Sequence, residues 1–250
     1  MMHYQVPSVV ACAGVFFLAG AAALQAPKEG HGFVDKVFKA ADGSEHKYTL
    51  FVPYSYSAEK PYPLILFLHG AGEREGGAKT PVQVGIGPAI KKYGEKDFPF
   101  FVVFPRCGRP PRNWNADGPD AQMALKILEH VEKDYRIDPD RIYLTGLSMG
   151  GHGTWSLAAR YPSRWAAIVP ICGSGNPKDA PKIKDLPCWC FHGDADKAVP
   201  VQRSRDMIEA IQQAGGKPRY TELPGVGHNS WDHAYQNREL YTWLLQQKRK

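Results

Sequence analysis

The chain has 250 residues, of which 43% are hydrophobic and 22% charged, a balance that suits one globular α/β domain with a sizeable core. Its formal charge is +6, but Lys248, Arg249 and Lys250 supply half of it, and no lysine/arginine stripe runs through the rest. Phosphate binding needs clustered cations, so a nucleic-acid partner is excluded.

The first charged residue other than histidine is Lys28, and Val9 to Leu24 before it are apolar or small throughout. Ala21, Ala22, Ala23 and Ala26 offer small-residue cleavage positions. Residues 1–26 therefore read as a signal peptide cut near Ala23 or Ala26. That leaves 27–250 as a single domain, secreted or periplasmic, without stable membrane association. The leader lacks a Lys/Arg n-region and nearly reaches spanning length, so an uncleaved anchor stands as the alternative. Four cysteines follow the leader: Cys107, Cys172, Cys188 and Cys190. Cys188 and Cys190 alternate along one strand-like run and point to one face, poorly placed to bond each other. A lone C-x-C also lacks the second pair of a zinc site, and buried thiols are the expectation.

Beyond the leader, FVDKVF and HKYTLFVP alternate in polarity and predict an antiparallel pair at a sheet edge. PLILFLHG is continuously apolar, as a strand buried on both faces should be. FPFFVVFP, IYLTG, WAAIVPICG and CWCFHG predict further strands, and YTELPG one more. Between them, residues 120 to 135 place Ala124, Leu125, Leu128, Val131 and Tyr135 on one helical face. Residues 201 to 214 do the same with Met207, Ile208 and Ile211, and a last helix ends in LYTWLLQQ. Strand and helix in alternation predict a parallel sheet covered on both sides, with active residues at the strands' carboxyl ends.

The chemistry concentrates at those ends. Gly146-x-Ser148-x-Gly150 lies between a predicted strand and a predicted helix, the context of a nucleophile elbow. A serine nucleophile needs a base, and His228 sits in the glycine-flanked LPGVGHNSW just past the last strand. Its rivals are His192, which reads as fixing a strand-end turn, and His233, near the start of the last helix. An acid must hold the imidazole's tautomer. FHGDADKAVP offers Asp194 and Asp196; Asp196, further into the loop, is the choice, with Asp194 as a turn acceptor. The order Ser, Asp, His follows. Developing negative charge needs two backbone donors, assigned to Ala71 (with Gly72 as neighbour) and Met149. A phosphate-loop reading of GAGEREGGAKT fails because Ala78, not glycine, precedes Lys79. Glu73 and Arg74 read as braces of this loop, and Asp194, Asp196 and His192 as a turn rather than a metal site.

FLHGAGEREG, LTGLSMGGHGTWSLAARYP, IVPICG, FHGDADKAVPV and LPGVGHNSW together resemble the α/β-hydrolase superfamily. More narrowly, they resemble small bacterial esterases grouped with dienelactone hydrolases, feruloyl and acetylxylan esterases and prolyl-oligopeptidase-like predicted peptidases. The similarity runs from about Phe33 to Leu245. It implies an α/β-hydrolase fold, a mostly parallel sheet of about eight strands with helices on both faces. It also implies a serine carboxylic-ester hydrolase with Ser148, Asp196 and His228 as triad and Ala71 and Met149 as oxyanion donors, needing no metal and no cofactor. The rival readings are a serine peptidase and a catalytically silent binding module.

Only about sixteen residues separate Ile171 from Cys188, too few and too proline-rich for a cap domain, so an open cleft is expected. Trp114 and Trp231 are placed to line it as substrate-binding platforms. The expected substrate is a short-chain or phenolic ester, small or linked to a polysaccharide.

Overall fold

The structure, a computed structural model, describes residues 1–3 and 30–249. The leader expected at 1–26 lies, from residue 4 on, outside the described residues.

Strands β1 (Gly32–Lys39) and β2 (Glu45–Val52) pair antiparallel from Gly32 opposite Val52 to Lys39 opposite Glu45. β2 then runs antiparallel beside β4 (Phe101–Pro105). From there β3 (Tyr62–Leu68), β5 (Ile137–Leu147), β6 (Ala167–Ile171), β7 (Trp189–Gly193) and β8 (Arg219–Leu223) continue in parallel. The eight-stranded order is β1-β2-β4-β3-β5-β6-β7-β8.

The helices are α1 (Ile86–Tyr93), α2 (Pro119–Asp134), α3 (Met149–Arg160), α4 (Ala180–Ile183), α5 (Gln202–Gln213), α6 (Trp231–Gln236) and α7 (Arg238–Gln246). Successive strand side chains face opposite ways, so β3 feeds two cores at once. Leu64, Leu66 and Leu68 belong to the core cluster that also holds residues of α2, α3 and α5, while Ile65 and Phe67 belong to the one that holds residues of α1, α6 and α7. That double burial is why the run carries no polar residue.

The predicted helical faces hold with one adjustment. In α2 the buried stripe is Ala121, Ala124, Ile127, Leu128 and Val131, and Leu125 is only half-buried at its edge. In α5 the buried face includes Ser204 beside Met207, Ile208 and Ile211.

The segment between β6 and β7 forms a 3-10 turn (Pro177–Asp179) and the single turn of α4. Ala180 and Ile183 are buried, and α4 packs down against α3 and α5. Among the described residues no cap rises over the strand ends. Cys107, Cys172, Cys188 and Cys190 are all free and buried. Among the described residues no helix is long and apolar enough to cross a membrane.

Candidate active site

The turn from β5 into α3 is as tight as its glycines suggest. A Cβ on Gly150 would lie 1.9 Å from the Leu68 carbonyl oxygen, and one on Gly146 would lie 2.4 Å from that of Gly150. Ser148 between them has φ +53° and ψ −115°, a conformation that L residues occupy only when their surroundings impose it. The elbow is pinned by its backbone: Ser148 N–H donates to Ile171 O at 3.0 Å, and His152 N–H to Ser148 O at 3.0 Å.

The loop after β8 brings His228 to this turn. Its Nε2 lies 2.9 Å from Ser148 Oγ and its Nδ1 2.7 Å from Asp196 Oδ2. The Asp196 side chain is 0% exposed, and its Oδ1 accepts from Ala198 N–H at 2.8 Å and Val199 N–H at 2.9 Å. Burial works to raise its pKa. The hydrogen bonds from His228, Val199 and Ala198 outweigh burial and hold the carboxyl below the usual aspartate value. Asp194 faces elsewhere: its Oδ1 accepts from Gly225 N–H at 2.7 Å, tying the β7 and β8 loops together. His233 is exposed within α6.

Ala71 and Met149 line one cleft with Ser148, a cavity of about 550 Å³. The approach to Ala71 is held by His69, which is fully buried. Cys107 N–H donates to His69 Nε2 at 3.0 Å, so Nδ1 must carry the proton that goes to Gly70 O at 2.6 Å. Burial drives the His69 pKa down to about 4, and the ring stays neutral above that. In a trans peptide the N–H opposes the C=O. With the Gly70 carbonyl turned inward to His69, the Ala71 N–H is turned outward.

One expectation needs correcting. Trp114 is no open platform: it is 1% exposed, it packs against His69, and its Nε1–H donates to the His69 carbonyl at 2.9 Å. An indole whose N–H finds a buried acceptor serves as a brace, and Trp114 lines the cleft while almost wholly buried. Arg74 does brace its loop, its carbonyl accepting from Gly77 N–H at 2.8 Å, and it also lines the cleft; Glu73 is buried with its carboxylate facing the Gly70 N–H. Trp231 is half-buried and stands edge-on to His228, ring centroids 5.4 Å apart at 87°.

Sequence reasoning missed His152, Asn113, Asn115 and Ser174, which complete the cleft wall. His152 had a signal, since it lies four residues after Ser148 and so one helical turn along the same side. Ser174 N–H donates to its Nδ1 at 2.5 Å. The asparagines and Ser174 come from loops, where no periodicity points.

Cys172, Asp196 and His228 bring donor atoms within 4.8 Å of one another, the geometry in which a metal could be held. Asp196 and His228 are already joined by a hydrogen bond, and burial pushes the Cys172 thiol up to about 12. Metal ligation requires a thiolate, so this set fits the serine-directed chain better than an ion.

A mostly parallel sheet, a strained serine elbow after β5, an acid after β7 and a histidine after β8 define an α/β-hydrolase. Residues 40–233 match the Esterase family, and the chain belongs to it. It is 31% identical over 153 residues to a bifunctional acetylxylan esterase/xylanase of Neocallimastix patriciarum, an alignment covering 58% of this chain and 21% of that protein. Against the Probable feruloyl esterase C of Aspergillus niger, identity is 28% over 192 residues, 74% of this chain and 68% of the other. A solved thermostable esterase superposes with a TM-score of 0.78 at 37% identity, covering 87% of this chain and 63% of that one. The chain thus spans only about a fifth of the first of these proteins and under two thirds of the last.

Proposed function

We propose that the protein is a serine carboxylic-ester hydrolase acting through an acyl-enzyme, with Ser148 as nucleophile, His228 as base and Asp196 as acid. The observation that carries this reading is the continuous chain from Asp196 through His228 to Ser148 Oγ, at 2.7 and 2.9 Å, opening onto a cleft. His228 Nε2 takes the Ser148 proton as Oγ attacks the ester carbonyl. The tetrahedral oxyanion is stabilised by the N–H groups of Ala71 and Met149, each worth about 3 kcal/mol in comparable sites. His228 returns the proton to the departing alkoxide, leaving the acyl group on Oγ. Water, deprotonated by His228, then attacks the acyl-enzyme, and collapse releases the acid and restores the Ser148 hydroxyl.

The leaving oxygen must face His228, so the alcohol belongs on the Trp231 side. The acyl group then belongs in the cleft of Asn113, Asn115, His152 and Ser174. That wall is polar and suits a short or hydroxylated phenolic acyl group rather than a long alkyl chain. With no cap over it among the described residues, the site accepts an ester projecting from a polysaccharide. The relatives that carry acetylxylan and feruloyl esterase names support this substrate class, and the apolar run from Val9 to Leu24 supports export.

One panel tests this: aryl esters of increasing chain length, methyl ferulate, acetylated xylan and a peptide amide. Turnover should favour short or phenolic esters, and Ser148→Ala should abolish it. Full turnover by Ser148→Ala sinks the mechanism, and a preference for long acyl chains sinks the substrate class.

A further inference from the structure

His192, near the end of β7, plays no part in the mechanism above, yet it touches the acid. Its side chain is 0% exposed. Nε2 lies 3.1 Å from Asp196 Oδ2 and 2.9 Å from the Val199 carbonyl oxygen, and Nδ1 lies 2.7 Å from Ser204 Oγ. A carbonyl oxygen can only accept, so Nε2 must carry the proton. Nδ1 is then the acceptor and the Ser204 hydroxyl its donor. Ser204 Oγ in turn accepts from the Cys190 thiol at 3.4 Å. One tautomer satisfies every group; the other would aim the Nε2 lone pair at a carboxylate and a carbonyl.

We infer that His192 is a positioning residue for Asp196, its Nε2–H the fourth donor on the carboxylate, and that Ser204 sets the tautomer that keeps it there. This rests on Asp196 being the acid of the proposed triad. A carboxylate cut off from water must have its lone pairs filled by the protein. Oδ1 takes the N–H groups of Ala198 and Val199. Oδ2 is shared between His228 and His192, which fixes the plane of the carboxylate against His228 and draws charge away from it.

Besides Cys190, held protonated by burial and turned to Ser204, the titratable groups around the pair include Cys172, His152 and Glu222. Cys172 is held protonated by burial, Glu222 is engaged by Arg205 and Tyr220, and His152 takes the Ser174 N–H. The Cys172 thiol is only a weak donor, and neither Glu222 nor His152 is free to supply a replacement. With His192 gone, Asp196 should bind the His228 imidazolium more tightly but in a looser geometry. The base would then keep its proton to higher pH and turn over more slowly.

The test uses the full chain, a short aryl ester and three variants. His192→Leu should lower kcat about 10–100-fold, the value of a hydrogen bond to a charged group, while KM changes little. The acid limb of kcat/KM should move to higher pH. His192→Gln, which keeps a donor in reach, should restore most of kcat and return the limb. Ser204→Ala should fall between, because the ring loses the partner that sets its tautomer. A merely structural His192 would lower Tm without moving the limb. His192→Leu that folds with wild-type kcat and an unmoved limb overturns the inference. If that variant does not fold, an unmoved limb in Ser204→Ala does so. Ser148→Ala run alongside separates the two readings: turnover there defeats the triad itself, whereas its inactivity with an unaffected His192→Leu defeats this inference alone.

Discussion

At the scale of single residues, two aspartates two positions apart do different jobs because their backbones leave β7 differently. Asp196 turns into the protein and meets His228, while Asp194 caps the Gly225 N–H at the surface. Asp196→Asn should fold and lose roughly 10³–10⁴ in kcat, because an amide stabilises the wrong imidazole tautomer. Asp194→Asn should keep kcat within a few-fold and show its effect in Tm. Kinetics on both variants with one aryl ester decides; a dead but folded Asp194→Asn would exchange the roles. Sequence could single out this pair because position after a strand limits the choices. It could not see that Trp114 turns inward, since an indole in a loop reads the same whether its N–H meets water or the His69 carbonyl.

At the scale of elements, the elbow stores the demand of the site. β5 must end and α3 begin within one residue, and the surrounding carbonyls leave no room for side chains on either flanking glycine. Gly150→Ala would set its methyl carbon against the Leu68 backbone, which cannot yield without shifting β3. Such steric conflicts belong to the class that costs about 4 kcal/mol or more. Chemical denaturation should show that loss, with activity falling alongside as Ser148 is displaced. A stable, active Gly150→Ala would mean that the turn has slack the structure does not show. The strands and the α2 and α5 faces were legible because burial on a sheet or helix imposes a period. Ser204 and His152 were not, because a polar residue on a buried face breaks that period rather than announcing its partner.

At the scale of the whole molecule, folding stability should depend on pH through His69. Unfolded, a histidine takes up its proton near pH 6.5, whereas the buried ring does not until about 4. Between those values the unfolded chain binds more protons, so stability falls as pH drops. The loss over that window amounts to about 3 kcal/mol. Asp196 acts lower: its folded pKa is depressed, so its contribution persists above the usual aspartate range and is lost as pH falls through the folded value. Urea denaturation at several pH values should show the decline beginning near neutrality, and His69→Gln should flatten its upper part. A profile unchanged by that substitution would mean that His69 titrates normally in the folded state.

Sequence by itself determined the sheet, the elbow and the order of serine, acid and histidine, because hydrophobic period and strand-end position are local properties. Only the tertiary structure decided which side chains meet. His228 reaches Ser148 across 80 residues of chain, and Trp114 braces the loop 45 residues before it. His192 shares a carboxylate with His228 because β7 and the loop after β8 converge there. Contacts of that kind are set by how elements pack, and no spacing along the chain encodes which way a buried polar side chain will find its partner.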